Sequence, residues 1–272
     1  MILSQKQINA MRELGPLLGY ILALTAQAAK PGVTLIALDT FAYARIKQAR
    51  VKAAFLNHQG YRYATCLSRN DALVHGIPNN ERIRTGDVLG IDIGLKNKGV
   101  FVDSALTIII GKPRLEDARL LQVTESALMA GIAKVRDGVH LGDVQAAIAD
   151  VITQARLGIV RDLCGHGIGP ALQMDPRILN LGEIGTGPIL AAGMALAIEP
   201  MVTLGDWHVV TDPDAWTVRT ADGKNAAHFE HTILVTKKGA EILTKRPQNA
   251  TLEAYARILG RIGRVEVEPT HE

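Results

Sequence analysis

Cysteine occurs only twice in this 272-residue chain, at Cys66 and Cys164. Two cysteines so far apart build no disulfide framework, and the pattern suits a reducing compartment. Charge of one sign is also in short supply. Thirty basic residues against 27 acidic leave a net charge of +3, too little to argue for DNA binding. Long hydrophobic runs are missing. The longest apolar stretch, Leu17 to Ala29, is broken by Gly19, Thr25 and Gln27, short of the ~20 residues a membrane span needs. The N-terminus places Ser4, Gln5, Lys6 and Gln7 early, unlike a signal peptide. These absences point to a cytoplasmic protein without DNA or membrane as partner. Low-complexity segments and obvious linkers are absent too.

What remains is ordinary for a globular protein: 47 % apolar and 21 % charged residues. A chain this long buries most of its apolar surface without a disulfide or metal staple. Whole-chain disorder, collagen and coiled coil are excluded. The basic residues Lys237, Lys238, Lys245, Arg246, Arg257, Arg261 and Arg264 of the last third read as a solvated face. Residues 251–264 read as an amphipathic helix packing on its own domain.

Ser4 to Lys30 has helical spacing of Ile8, Met11, Leu14, Leu18, Ile21 and Leu22, and Pro31-Gly32 ends it. A second helix is expected from Leu35 to about Arg50. The same pattern returns 106 positions later: KPGVTLIALDTFAYARIKQAR from Lys30 matches RDGVHLGDVQAAIADVITQAR from Arg136 at Gly32/Gly138, Leu35/Leu141 and Arg50/Arg156. This internal repeat predicts one domain over 1–272, built of two similar halves, about 4–110 and 111–246. Val88 to Leu95 and Val100 to Ile110 read as a hairpin. Further strands are expected at Met194–Val202, His208–Arg219 and Ala227–Val235. Helix pairs flanking antiparallel strands give an α+β class.

Lone acids interrupt these apolar strands: Asp92 in LGIDIGL, Asp103 in VFVDSALTIII, Glu199 in MALAIEPMV and Glu230 in AHFEHTILV. A buried carboxylate is costly unless it is paired or binds a cation. With the turn centred between Asn97 and Lys98, Asp92 and Asp103 would face each other directly, a bulge at Gly99 being the alternative. A facing acid pair fits either a shared proton or a metal. His166, between glycines in CGHGIGP, adds an imidazole where backbones approach closely. Carboxylates plus one imidazole suit Mn, Fe, Co or Zn.

HGIPNN from His75, IDIG from Ile91, VDSALTIIIGKP from Val102, CGHGIGP from Cys164, GMALAIEPMV from Gly193, WTVRT from Trp216 and HFEHTILVT from His228 together resemble the type I methionine aminopeptidases. The resemblance runs from about Ile8 to Thr244, and Asp92, Asp103, His166, Glu199 and Glu230 follow at separations of 11, 63, 33 and 31 residues. It implies the pita-bread fold, a monomer, and two divalent metal ions that activate a water and polarise the scissile carbonyl. Asp92 would bind one ion, His166 and Glu199 the other, with Asp103 and Glu230 bridging. Glu199 would also shuttle a proton, and His75 would contact the substrate amide. Tyr61, Cys66 and Trp216 would line the methionine pocket. The implied substrates are nascent polypeptide N-termini with a small second residue, met through transient ribosome contact.

Several positions depart from the family. Gln173 stands where the family has a histidine that donates to the carbonyl or oxyanion; an amide can donate but is never cationic. His228 stands where the family has glutamine, so an exchange of roles between Gln173 and His228 is one reading, and independent drift another. Phe55, His58 and Leu172 replace cysteine, tyrosine and phenylalanine, with Phe55 and Leu172 expected to offset each other in volume. Gly94 and Val102 replace a threonine and a glycine beside the aspartates, positions that bear on metal affinity. Ala226 replaces a serine linked to a monovalent cation, so that ion is not expected. Two other readings stand beside the aminopeptidase: a non-catalytic or altered-specificity metal-binding paralogue, and an Xaa-Pro or creatinase-type hydrolase.

Overall fold

The computed structural model describes residues 1–247 and 249–262. In chain order its helices are α1 (Gln5–Ala28), α2 (Leu35–Gln48), α3 (Leu115–Lys134), α4 (Leu141–Gln154) and α5 (Leu252–Ile262). The strands of the first half are β1 (Lys52–Ala53), β2 (Thr65–Arg69), β3 (Ala72–Val74), β4 (Val88–Asn97) and β5 (Val100–Ile109). Then follow β6 (Gly158–Ile159), β7 (Cys164–Gly167), β8 (Met174–Leu179), β9 (Ala195–Ile198) and β10 (Met201–Thr203). Last come β11 (Val209–Thr211), β12 (Val218–Thr220), β13 (Ala226–His228), β14 (His231–Val235) and β15 (Ala240–Ile242). Every strand pairing among these residues is antiparallel.

Local chemistry sets the helix ends. The Ser4 hydroxyl accepts from the Gln7 N–H at 3.3 Å while the Gln7 side chain accepts from the Ser4 N–H at 2.9 Å, a reciprocal cap that starts α1. Thr34 caps α2 in the same way, accepting from the Ala37 N–H at 3.2 Å. The matched segments then behave alike. Helices α2 and α4 occupy positions 106 apart, and Arg50 and Arg156, one residue past each cap, have φ of 57° and 53°. The Gly32 N–H donates to Ile83 O, and the Gly138 N–H to Leu190 O. Isolated bridges join Thr34 to Arg82 and His140 to Ile189. Helix α5 docks Tyr255, buried, whose hydroxyl donates to Arg45 O at 2.5 Å. Positions 263–264 of the expected C-terminal helix, Arg264 included, lie outside the described residues.

The β4–β5 hairpin corrects one expectation. Lys98 (φ 48°) and Gly99 (φ 76°) form the turn, and the ladder closes at Asn97↔Val100. A two-residue turn with both φ positive matches the twist of the flanking strands. The turn therefore lies one residue later than expected. Asp92 faces Ala105, and Asp103 faces Gly94. The two acids are diagonal neighbours on one face rather than direct partners.

Three expected strands are each divided. Met194–Val202 breaks between β9 and β10 at Glu199-Pro200, where proline lacks the ladder donor. Ala227–Val235 breaks between β13 and β14 at Phe229-Glu230. His208–Arg219 opens between β11 and β12 into a loop in which the Asp214 carboxylate accepts from the Trp216 and Thr217 N–H groups, both at 2.8 Å. The first two breaks have one cause in the topology. Strands β9 and β14 belong to a five-stranded sheet ordered β15-β14-β9-β7-β8, whereas β10 and β13 pair in a second, three-stranded sheet. The chain changes sheets twice, at Glu199 and at Glu230. No described helix is long and apolar enough to cross a membrane.

Candidate active site and metal centre

Strand β5 meets the segment of the two sheet changes through side-chain hydroxyls. The Thr232 hydroxyl accepts from the Asp103 N–H at 2.9 Å and donates to Asp103 O at 2.8 Å. The Ser104 hydroxyl donates to Glu230 O at 2.8 Å, and the Glu230 N–H donates to Ala105 O at 2.9 Å. The Thr107 hydroxyl exchanges bonds with the His228 backbone at 2.8 and 3.0 Å. Arg246, expected on a solvated face, is instead partly buried and adds its guanidinium to Ala105 O at 2.9 Å. These bonds satisfy the backbone where the ladders break, and they fix Asp103 and Glu230 against each other. Ser104, Thr107, Thr232 and Arg246 are functional supports that sequence reasoning missed. Polar residues inside the apolar run from Val100 to Ile110 were the available signal.

His166 arrives on β7. A Cβ added at Gly165 would lie 2.4 Å from Ala197 O, and one at Gly167 would lie 2.2 Å from Asp175 O. Only glycine on both sides of His166 lets β8 and β9 approach so closely. Ligand atoms of Asp103, His166 and Glu230, all buried, then lie within 4.8 Å of one another. The His166 Nε2 is 3.6 Å from Glu199 Oε1, and the His228 Nε2 is 3.2 Å from Glu199 Oε2. Asp92 joins from β4, close enough to Asp103 for the pair to raise its pKa. The five residues expected as ligands thus converge, and His228 reaches Glu199 despite the break in its strand.

Burial dominates the electrostatics. Desolvation, reinforced by the neighbouring acids, holds Asp92 and Glu230 well above the ordinary carboxylate range; desolvation and the Glu199 charge carry Asp103 to about 7, and desolvation, opposed by His166, carries Glu199 to about 7. Burial pushes His75 and His228 down to about 4. Asp92 Oδ1, Glu230 Oε1 and His228 Nε2 are buried without a hydrogen-bond partner. Four crowded acids, two of them with an orphaned oxygen, are a costly arrangement for a protein alone. They fit divalent cations, which supply the missing positive charge. Oxygen ligands with one or two imidazoles suit first-row divalent metals.

Two cavities share this wall. One, of about 140 Å³, has walls of Phe55, His58, Tyr61, Cys66, Leu172 and Trp216. Cys66 enters because it pairs with Asp92 across β2 and β4, so both point to one face. The Tyr61 and Trp216 rings pack edge to face with centroids 5.0 Å apart. Gln59, which sequence reasoning did not select, also lines it. The other cavity, about 590 Å³ and more open, is walled by Leu163, Met174, Met201, Asp162, Asp175 and Arg177. His75, His166, Gln173 and Glu199 line both. His228 lines neither and sits behind Glu199. His75 has φ 57°, in the left-handed region, which costs a non-glycine residue about 1–2 kcal/mol. The adjacent Gly76 is pinned, donating to the Ser68 hydroxyl at 3.1 Å and accepting from the Leu67 N–H at 2.8 Å.

Known proteins share this arrangement. The sequence matches metallopeptidase family M24 over residues 9–237. Methionine aminopeptidase 1 of Bacillus subtilis is 40 % identical over 240 residues, spanning 88 % of this chain and 97 % of that one. Methionine aminopeptidase 1 of Mycobacterium tuberculosis is 42 % identical over 248 residues, spanning 89 % and 93 %. The crystal structure of the Thermotoga maritima methionine aminopeptidase superposes with a TM-score of 0.89 at 41 % identity, covering 90 % of this chain and 99 % of that one. A Bacillus anthracis Xaa-Pro dipeptidase, 22 % identical with a TM-score of 0.74 over 91 % of this chain and 63 % of its own, shares the fold. The α+β architecture is the pita-bread fold, and the chain belongs to metallopeptidase family M24, among its methionine aminopeptidases.

Proposed function

We infer that the protein is a metal-dependent aminopeptidase that removes the initiator methionine from polypeptides whose second residue is small. The observation that carries this reading is the shared wall. All five ligand-type side chains line the smaller cavity, Asp92 and Glu230 each with an orphaned buried oxygen, and His166 and Glu199 also border the open groove, which suits a departing chain. In this reading Asp92, Asp103, His166, Glu199 and Glu230 would together hold the divalent ions. When bound, the ions supply Lewis-acid activation of water and of the scissile carbonyl; Mn, Fe, Co and Zn all suit the ligand set.

The chain's own groups do the rest. The apolar cavity orients the methionine side chain. Glu199, facing both cavities, takes the proton of the attacking water and delivers it to the leaving amine. At the rim where the cavities meet, His75 contacts the substrate amide and Gln173 donates to its carbonyl. Gln173 keeps the donor that the family's histidine supplies but carries no charge. His228 acts through Glu199, whose second oxygen it approaches, rather than as a direct substitute for that histidine. We further propose a cytoplasmic monomer, its two halves (about 4–110 and 111–246) forming one catalytic unit that meets nascent chains by transient ribosome contact.

The free substrate amine gives the test. Methionine release from Met-Ala-Ser should be abolished by N-acetylation of the same peptide, because an exopeptidase recognises the amine beside its ions. Equal cleavage of both peptides contradicts the assignment.

A further inference from the structure

Phe55 and Gly94 differ from the family pattern separately in sequence, yet they meet in space. A Cβ built on Gly94 would lie 2.8 Å from Phe55 Cε1 and 3.2 Å from Phe55 Cζ. Gly94 faces Asp103 across the β4–β5 ladder and lies two residues from Asp92. Its missing side chain therefore points to the face that carries both acids. The Phe55 ring occupies that space. The backbone holds it there: the Ala54 N–H donates to Gly94 O at 2.9 Å, and Ala53 pairs with Leu95. Phe55 is buried and lines the smaller cavity together with Trp216 and Tyr61.

We propose that Phe55 and Gly94 form one coupled specificity element, in which the ring of Phe55, seated over Gly94, sets the width of the cavity for an unbranched thioether side chain. The inference rests on the aminopeptidase reading and adds to it the determinant of the first residue. It adds Gly94 to the expected compensation between Phe55 and Leu172, which line the same cavity. Any side chain at Gly94 must displace the ring, and the open direction is the cavity. Ala54 Cβ, 2.9 Å from the built Cβ, blocks another exit. A smaller residue at 55 instead deepens the cavity towards β4. Thioether sulfur against an aromatic face is a favourable contact that the same ring provides.

The test is a double-mutant cycle on the metal-loaded full chain: Gly94→Ala, Phe55→Cys, and both together. Steady-state kinetics on Met-Ala-Ser and Phe-Ala-Ser are read alongside calorimetric binding of free methionine. Gly94→Ala should raise KM for Met-Ala-Ser about 10-fold or more, with kcat changed much less, the scale of a methyl group in an apolar pocket. Phe55→Cys should shift the Phe-over-Met preference in kcat/KM about 10-fold towards phenylalanine. The double variant should recover methionine KM to within about 3-fold of the unmodified protein, a non-additivity expected only of groups in contact. Additive effects in the cycle, or an unchanged preference in Phe55→Cys, overturn the proposal. If Gly94→Ala does not fold, the preference of Phe55→Cys decides alone. If the unmodified protein releases no methionine, the aminopeptidase reading fails. Methionine affinity across the same cycle then decides the coupling separately, with weakening in Gly94→Ala and recovery in the double variant as its support, and no weakening or no recovery as its refutation.

Discussion

Glu199 lies between two imidazoles, its Oε1 3.6 Å from His166 Nε2 and its Oε2 3.2 Å from His228 Nε2. His166 also approaches Asp103 and Glu230, whereas His228 is buried behind the carboxylate and touches neither cavity. His228 Nε2 makes no hydrogen bond in this structure, but a proton there, 3.2 Å from Glu199 Oε2, would attract that carboxylate and orient it for proton transfer. His228→Gln keeps an amide donor there and should hold kcat within about 3-fold. His228→Leu removes the donor and should lower kcat about 10–100-fold, the range for outer partners of metal ligands. Rescue by glutamine separates orientation from packing; equal losses in both variants would assign His228 a packing role.

Gln173 lines both cavities beside His75 and Glu199. As the neutral donor in place of the family's histidine, it should matter more to the transition state than to binding. Gln173→Ala should lower kcat about 10²-fold with little change in KM, in keeping with the loss of one oxyanion donor. An unchanged kcat would contradict that role.

The acids that serve the ions oppose folding without them. Asp103 is held near 7 by burial, with the Glu199 charge adding to the shift. Replacing it with neutral asparagine removes that repulsion. Asp103→Asn should raise the stability of the metal-free protein at pH 8 by on the order of 1–3 kcal/mol, measured by urea unfolding in chelator, while abolishing methionine release. Loss of both stability and activity would contradict this trade-off.

The same groups set a pH dependence. Asp103 and Glu199 titrate near 7 in the fold, and Asp92 and Glu230 well above the ordinary carboxylate range, against about 4 unfolded. The folded state then binds more protons than the unfolded one, so these acids make metal-free stability fall as pH rises. His75 and His228, near 4 in the fold, act oppositely, but only up to the unfolded histidine value of about 6.5. Above pH 6.5 the acids act alone. Metal-free protein should lose stability from pH 6.5 to 8.5, and loaded protein should not, because the ions hold the carboxylates ionised. A flat profile in chelator would show that the acids are not desolvated as the structure places them.

The helices and their repeat were legible because helical spacing, caps and turn residues are local signals. The Ser4 cap and the Pro31-Gly32 stop bracketed α1 to within two residues. The convergence of the four acids was legible for another reason: an acid in an apolar strand conflicts with its surroundings, and that conflict shows in sequence. Distances were less accessible. The Asp92–Asp103 register depended on whether Lys98 would accept a positive φ, which neighbouring residues do not reveal. The breaks at Glu199 and Glu230 were hidden because each run is apolar on both sides, and only the change of sheet separates them. The seat of Phe55 on Gly94 was invisible, since an absent side chain leaves no signal until its neighbour is placed.

The central claim is that the clustered acids and His166 hold ions that make the chain a methionine-releasing enzyme. The most direct measurement is free methionine from Met-Ala-Ser by protein stripped with chelator and reconstituted in turn with Mn, Fe, Co and Zn. The account predicts no release from stripped protein and recovery with at least one of these ions. Binding of ions without release from this peptide, whichever metal is supplied, would contradict it.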